Sequence, residues 1–234
     1  MFNPDVVILT ETWSNESVSN EYLSINGYEI IERMDRNDTD KGRGGGIVVY
    51  VMKDLCAWKI ACNSEFNQCG MVGIKLNNRD LKILAVYRSP NSTKTNDDEL
   101  CKLIESMNGS YVIIGDFNFP DIRWESGCSG SKGRKFYETV NDKFLVQHVN
   151  KATHNSGNVL DLILSDNEDT VRDVEMIGKI GKSDHEMITC EIDVDVIRSR
   201  TKSTQLNFYK ANGPEMCKVM RKDWRRELEG KSVN

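Results

Sequence analysis

Tyr111 to Asn118 reads Tyr-Val-Ile-Ile-Gly-Asp-Phe-Asn, and the reading of this stretch decides the fold. The run Tyr-Val-Ile-Ile is apolar and β-branched, too short for a helix, and bounded by glycine and polar residues, so it reads as a buried strand. Its polar residues gather at the C-terminal end. Gly115 permits a sharp turn or a close approach, and Asp116 and Asn118, two apart on an extended chain, project to one side. In open α/β sheets, ligands collect outside the carboxyl ends of strands. Gly, Asp and Asn are also the usual turn formers, so this stretch alone does not separate a site from a turn. Recurrence of the pattern along the chain does.

Upstream, a helix from about Asn96 to Met107 carries Leu100, Leu103, Ile104 and Met107 at helical spacing. Before it, Met71–Leu76 and Leu81–Tyr87 read as strands of an antiparallel hairpin turning at Asn77-Asn78-Arg79-Asp80. Tyr87-Arg88-Ser89-Pro90 then sets a phenol and a guanidinium at a strand exit. Asp5–Thr10 reads as a buried strand with Glu11 at its end, and a hairpin is expected at Asn26-Gly27. Gly44-Gly45-Gly46 opens the strand Ile47–Met52; no Gly-Lys-Ser/Thr follows, so it reads as a tight loop and not a phosphate cradle.

Downstream, Phe119–Ser131 reads as a surface loop holding Trp124, and a helix from Arg134 to Phe144 turns Phe136, Tyr137, Val140 and Phe144 inward. Val159–Leu164 places Asp161 inside an apolar strand, where a carboxylate needs a partner. Val171–Ile177 and Met187–Val194 are the last strands, with Ser183-Asp184-His185 between them.

At 234 residues the chain suits one large α/β domain with an appendage, a size that buries about 70% of the unfolded surface. No apolar run reaches the length of a membrane span and no signal sequence is recognisable, so an intracellular protein without a membrane partner is expected. Seven cysteines, odd in number and without a Cys-x-x-Cys pair, argue against a zinc site and a disulfide framework. The net charge of −5 is unevenly spread: Arg198–Asn234 holds ten Lys/Arg against four Asp/Glu. Residues 1–195 read as the folded body. Residues 196–234 read as a basic linker followed by an amphipathic helix bearing Met216, Met220, Trp224 and Leu228.

Five pieces, taken in order, carry a resemblance: Leu-Thr-Glu-Thr (9–12), Val-Tyr (86–87), Gly-Asp-Phe-Asn (115–118), Leu-Asp (160–161) and Ser-Asp-His (183–185). Residues 3 to 194 resemble the endonuclease/exonuclease/phosphatase superfamily. Arg-Gly-Gly-Gly-Ile (43–47), Tyr-Arg-Ser-Pro (87–90) and Asp-Leu-Ile-Leu-Ser (161–165) look like the endonuclease domain of non-LTR, LINE-type retrotransposons. The resemblance implies an α/β fold of the DNase I type, a four-layered sandwich of two mixed β-sheets with outer helices. It implies a metal-dependent phosphodiesterase with Glu11 and Asp184 as ligands of Mg²⁺, or of Mn²⁺ in its place.

By the same resemblance His185 lies beside the phosphate with Asp161 on its Nδ1, Asp116 orients or deprotonates the attacking water, and Asn118 and Tyr87 donate to phosphate oxygens. Between Asp116 and His185 the general base stays open. The family's first strand, bearing an asparagine, would precede Glu11, and only ten residues stand there. That strand is expected to be missing, leaving an exposed sheet edge and weakened catalysis. The expected role is a DNA-nicking endonuclease domain of a retroelement-derived protein. DNA is its partner, a reverse transcriptase domain lies downstream, and an active element would place it in the nucleus. A small-molecule phosphoesterase of the same superfamily and a non-catalytic relic are the alternatives.

Overall fold

A computed structural model describes residues 3–36, 44–128, 130–198 and 212–220. In chain order its elements are β1 (Val6–Thr10), α1 (Asn20–Leu23), β2 (Tyr28–Met34), β3 (Ile47–Met52), β4 (Ala57–Ile60), β5 (Cys69–Lys75), β6 (Asp80–Tyr87), α2 (Lys94–Ser106) and β7 (Ser110–Asp116). There follow β8 (Ile122–Arg123), β9 (Gly127–Cys128), α3 (Arg134–Asp142), β10 (Val146–Gln147), β11 (Asp161–Ser165), β12 (Val171–Met176), β13 (Ile188–Ile192) and α4 (Gly213–Met220). Met1–Arg200 and Thr201–Asn234 form separate units. In the second, α4 is described, whereas Trp224, Leu228 and the side chains of Met216 and Met220 lie outside the described residues.

β7, which carries Tyr111 to Asp116, lies inside a six-stranded sheet ordered β10-β11-β7-β6-β5-β4. β6 and β7 run parallel and every other pair is antiparallel, so the sheet is mixed. Period-two alternation sorts its two faces. Leu84, Val86, Tyr111, Ile113, Leu162 and Leu164 pack with Leu100 and Ile104 of α2 and Phe136 and Val140 of α3. The alternate residues Leu81, Ile83, Ala85, Tyr87, Val112 and Ile163 pack with Ile47, Val49 and Val51 of β3. Asp116 shares the parity of Val112, and so opens toward the space between the sheets.

The second layer comprises the antiparallel sheet β1-β3-β2 and the antiparallel pair β12-β13, whose Val6, Ile8, Ile188, Cys190 and Ile192 border the same core. This is the α/β sandwich of the DNase I type expected from the sequence, although among the described residues only the six-stranded sheet is mixed and the pairs of the second layer are all antiparallel. β1 pairs with β3 and β13 pairs with β12, and among the described residues neither has a strand on its other edge.

Several local expectations need correction. Asn26-Gly27 forms a turn entering β2 and not a two-strand hairpin, because β2 pairs with β3 across residues 35–46. Asp161 is the first residue of β11 and not an interior one; its side chain keeps 16% exposure. Phe144 is 86% exposed. α3 ends at Asp142, and Phe144 takes a left-handed φ of 53° that swings its ring out. Leu145 follows, donates its N–H to Val140 O at 2.9 Å, and fills the core in its place.

Candidate active site

Sheet register assembles the centre of the site. Tyr87 at the end of β6 stands opposite Asp116 at the end of β7, and Asp161 at the start of β11 stands opposite Asp116 on the other side. Three strands therefore deliver a phenol and two carboxylates in one row. The row needs glycine at position 115, since a Cβ there would lie 1.8 Å from Val86 O.

Glu11 enters from the other layer. β1 ends at Thr10, and Glu11 takes a left-handed φ of 52°, an uncommon conformation for a glutamate. The glycine run lies alongside: Trp13 N–H donates to Gly45 O at 3.0 Å, and a Cβ on Gly44 would lie 3.3 Å from the Tyr87 hydroxyl. Glycine thus lets this loop close over Glu11 and Tyr87. The Tyr87 hydroxyl donates to Glu11 Oε1 at 2.8 Å, joining the two layers.

Asn118 also has a left-handed φ, of 50°. Its N–H donates to Asp116 Oδ1 at 3.1 Å, and its Nδ2 to Asp116 Oδ2 at 2.7 Å and Arg88 O at 3.1 Å. Both amide hydrogens are engaged within the protein. In this arrangement Asn118 braces Asp116.

Arg88 lies beneath this turn, 1% exposed. It forms a bidentate pair with Asp97 at 2.6 and 2.9 Å, donates to Asn118 O at 2.8 Å, and lies 3.8 Å from the Phe119 ring centroid. The guanidinium at the strand exit is a structural clamp.

His185 is presented by a short turn in which Ser183 Oγ accepts its N–H at 3.1 Å. Its Nδ1 lies 2.7 Å from Asp161 Oδ2 and its Nε2 4.0 Å from Asp116 Oδ2. The hydrogen bond to Asp161 raises the imidazole to about 9, so it is a cation at neutral pH with Nδ1 donating. Asp116 is 1% exposed, and its carboxyl is pushed well up, first by burial and then by the charges of Asp161 and Glu11, with His185 acting in the opposite sense. Glu11, Asp161 and His185 thus all act on Asp116.

Asp184 points its carboxylate to solvent, with 65% side-chain exposure. His154 Nε2 lies 3.1 Å from Asp184 Oδ2, and this hydrogen bond holds the carboxyl below its ordinary range. Sequence reading passed over His154. The available signal was scarcity, since the chain has only three histidines, and one standing in the loop before Asp161 merited attention. Thr153 was also missed: fully buried, it accepts the N–H groups of Leu160 and Asp161 on Oγ1, both at 3.0 Å, and so fixes the start of β11.

The carboxylate oxygens here are the donors a hard divalent cation takes. Ligand atoms of Asp116, Asp161 and His185 lie within 4.8 Å of one another, as do those of His154, Asp184 and His185; Glu11 falls in neither group. Burial gives the largest upward push on Asp116, the charges of Asp161 and Glu11 add to it, and a bound cation would act against it in the same sense as His185. Trp124, expected on a surface loop, stacks edge-on against Phe136 at 6.4 Å and borders the core.

A sandwich of this topology, with acids and a histidine at the strand ends, defines the DNase I-like class. The endonuclease domain of TRAS1, a telomere-specific non-LTR retrotransposon, superposes with a TM-score of 0.60 and 14% identity, over 81% of this chain and 86% of that one. The AP endonuclease LMAP from Leishmania major gives 0.59 and 18%, over 79% and 77%. The 3' phosphatase NExo from Neisseria, bound to product DNA hairpin, gives 0.53 and 15%, over 81% and 89%. Residues 81–189 match the family described as endonuclease-reverse transcriptase, a span holding every expected site residue except Glu11. No curated protein matches. The fold is that of the endonuclease/exonuclease/phosphatase proteins, and within it residues 81–189 are similar to the endonucleases joined to reverse transcriptases. No described helix is long and apolar enough to cross a membrane.

Proposed function

We propose that this chain is a divalent-cation-dependent endonuclease that hydrolyses phosphodiester bonds in DNA, the nicking domain of a retroelement-derived protein. The observation that carries the reading is the single row Tyr87, Asp116 and Asp161, joined to Glu11 at 2.8 Å and to His185 at 2.7 Å. The expected residues, drawn from distant parts of the chain, lie in or beside it, and the retrotransposon endonuclease TRAS1 shares the fold.

Glu11 and Asp184 are the proposed holders of the cation, Mg²⁺ or Mn²⁺. When bound it polarises a phosphate oxygen and offsets charge on the leaving group. The chain's own residues do the rest. Asp161 fixes the His185 ring, which presents Nε2–H to a phosphate oxygen as negative charge grows there. A cationic His185 already carries its proton, which leaves Asp116 to orient the attacking water and accept its proton. Asn118 and Arg88 keep Asp116 in place, and Tyr87 holds Glu11 at the row.

The test is relaxation of supercoiled plasmid. Nicking that requires Mg²⁺, stops with chelator and falls by about 10³-fold in His185→Ala supports the reading. A folded protein that leaves plasmid intact at high enzyme and Mg²⁺, or that nicks equally well without His185, overturns it.

A further inference from the structure

His154 makes three contacts that fix both its place and its tautomer. The backbone N–H of Ser156 donates to Nδ1 at 3.0 Å, so Nδ1 is an acceptor and the ring proton sits on Nε2. Ser156 Oγ lies 2.7 Å from Nδ1 and is itself reached by Asn158 Nδ2 at 2.8 Å. Nε2 consequently faces Asp184 Oδ2 as a donor at 3.1 Å.

The ring also packs edge-on against His185, with centroids 4.8 Å apart. The backbones on either side are tied: Asn155 N–H donates to Asp184 O at 3.0 Å, and Glu186 N–H to Thr153 O at 2.7 Å. Asp184 is otherwise an exposed carboxylate free to choose among rotamers.

We propose that His154 is a positioning residue that presents Asp184 to the divalent cation through a tautomer locked by the Ser156 backbone. This deepens the nuclease reading and rests on its assignment of Asp184 as a cation ligand. One carboxylate oxygen is held by Nε2–H, and the other is left to ligate in a fixed orientation. Imidazole–carboxylate pairs around metal ligands act in this way, and breaking one lowers metal affinity by about 10- to 100-fold.

The test is titration of the purified protein with Mn²⁺, followed by the fall in the electron paramagnetic resonance signal of the free ion, in the absence of DNA. Plasmid nicking at varied Mg²⁺ is run in parallel. His154→Ala is expected to weaken Mn²⁺ binding by about 10-fold or more and to raise the Mg²⁺ needed for half-maximal nicking, while the rate at saturating Mg²⁺ changes little. His154→Gln keeps an N–H near the Nε2 position and is expected to recover most of the affinity.

His154→Ala binding Mn²⁺ as tightly as the parent overturns the proposal. So does a Gln variant no better than Ala while both melt with the parent. Failure of the nuclease reading shows separately, as absence of nicking by a parent protein that still binds Mn²⁺.

Discussion

Replacing Arg88 by methionine removes the clamp beneath the Asp116–Asn118 turn while keeping most of the stem's volume. The guanidinium is 1% exposed and its partner Asp97 15%. Breaking such a pair from one side leaves a nearly buried carboxylate, at a cost of about 3–5 kcal/mol. Residual exposure of Asp97 favours the lower figure. Asn118 O loses its 2.8 Å donor, which adds about 1 kcal/mol. The expected total is about 4 kcal/mol, a large share of an ordinary domain's stability of about 5–15 kcal/mol. For a chain of this length it corresponds to a fall in Tm of about 8–16 °C.

The assay is urea unfolding followed by tryptophan fluorescence, with the midpoint shifting at constant slope. Arg88→Lys keeps the charge without the planar fork and should fall between the two. Arg88→Met/Asp97→Leu removes both partners and should recover at least half of the loss. A single variant within about 1 kcal/mol of the parent, or a double variant no more stable than the single, refutes the reasoning.

Gly115→Ala should be more damaging than any ordinary glycine substitution, because the added methyl meets Val86 O at 1.8 Å on the paired strand. Overpacking and backbone strain together give a loss of about 3 kcal/mol or more, measurable by the same unfolding curves. Cys62 and Cys69 lie with sulfurs 3.6 Å apart, and the hydrogen bond from Cys69 lowers the Cys62 thiol below its usual range. Hydrogen peroxide is therefore expected to oxidise Cys62 to the sulfenic acid, which Cys69 displaces to form a disulfide with release of water. Intact mass should show a loss of two hydrogens that Cys62→Ser abolishes; an unchanged mass in the treated parent rejects the pairing.

What the sequence made legible follows from how each signal is encoded. β5, β6 and β7 are continuous apolar runs because both faces of the central sheet are covered, and such runs need no partner to be recognised. The carboxylates and His185 stood out because they interrupt or end those runs. β2 was harder: Tyr-Glu-Ile-Ile-Glu-Arg-Met mixes charges with apolar residues, and a bulge between Ile30 and Glu32 breaks the alternation. Glu32 is 5% exposed there and pairs with Lys59 at 2.8 Å, a tertiary contact that no local pattern announces. Phe144 misled because helical spacing was extended past a left-handed C-cap. Asn118 was located correctly, but its engagement with Asp116 depends on a rotamer, and rotamers are not written in spacing.

The support under the site is uneven, and on the nuclease reading proposed above the division follows the role given to each group. Tyr87, Asp116 and Asp161 stand on strands of the six-stranded sheet, and β7 is paired on both sides. Asp116 is braced further by Asn118 and, through Asn118 O, by Arg88. A group that must aim at a reacting atom gains most from such rigidity, since small misplacements are costly. Glu11 is exposed directly after β1 and Asp184 is exposed in the turn before β13, and among the described residues both strands are paired on one side only. Groups that bind a hydrated ion tolerate this, because the ion supplies part of the ordering itself. Two side-chain hydrogen bonds then decide how well the looser half meets the rigid one: Tyr87 to Glu11 from one layer to the other, and His154 to Asp184 beside His185. On that reading neither partner need touch the phosphate to affect the reaction proposed there.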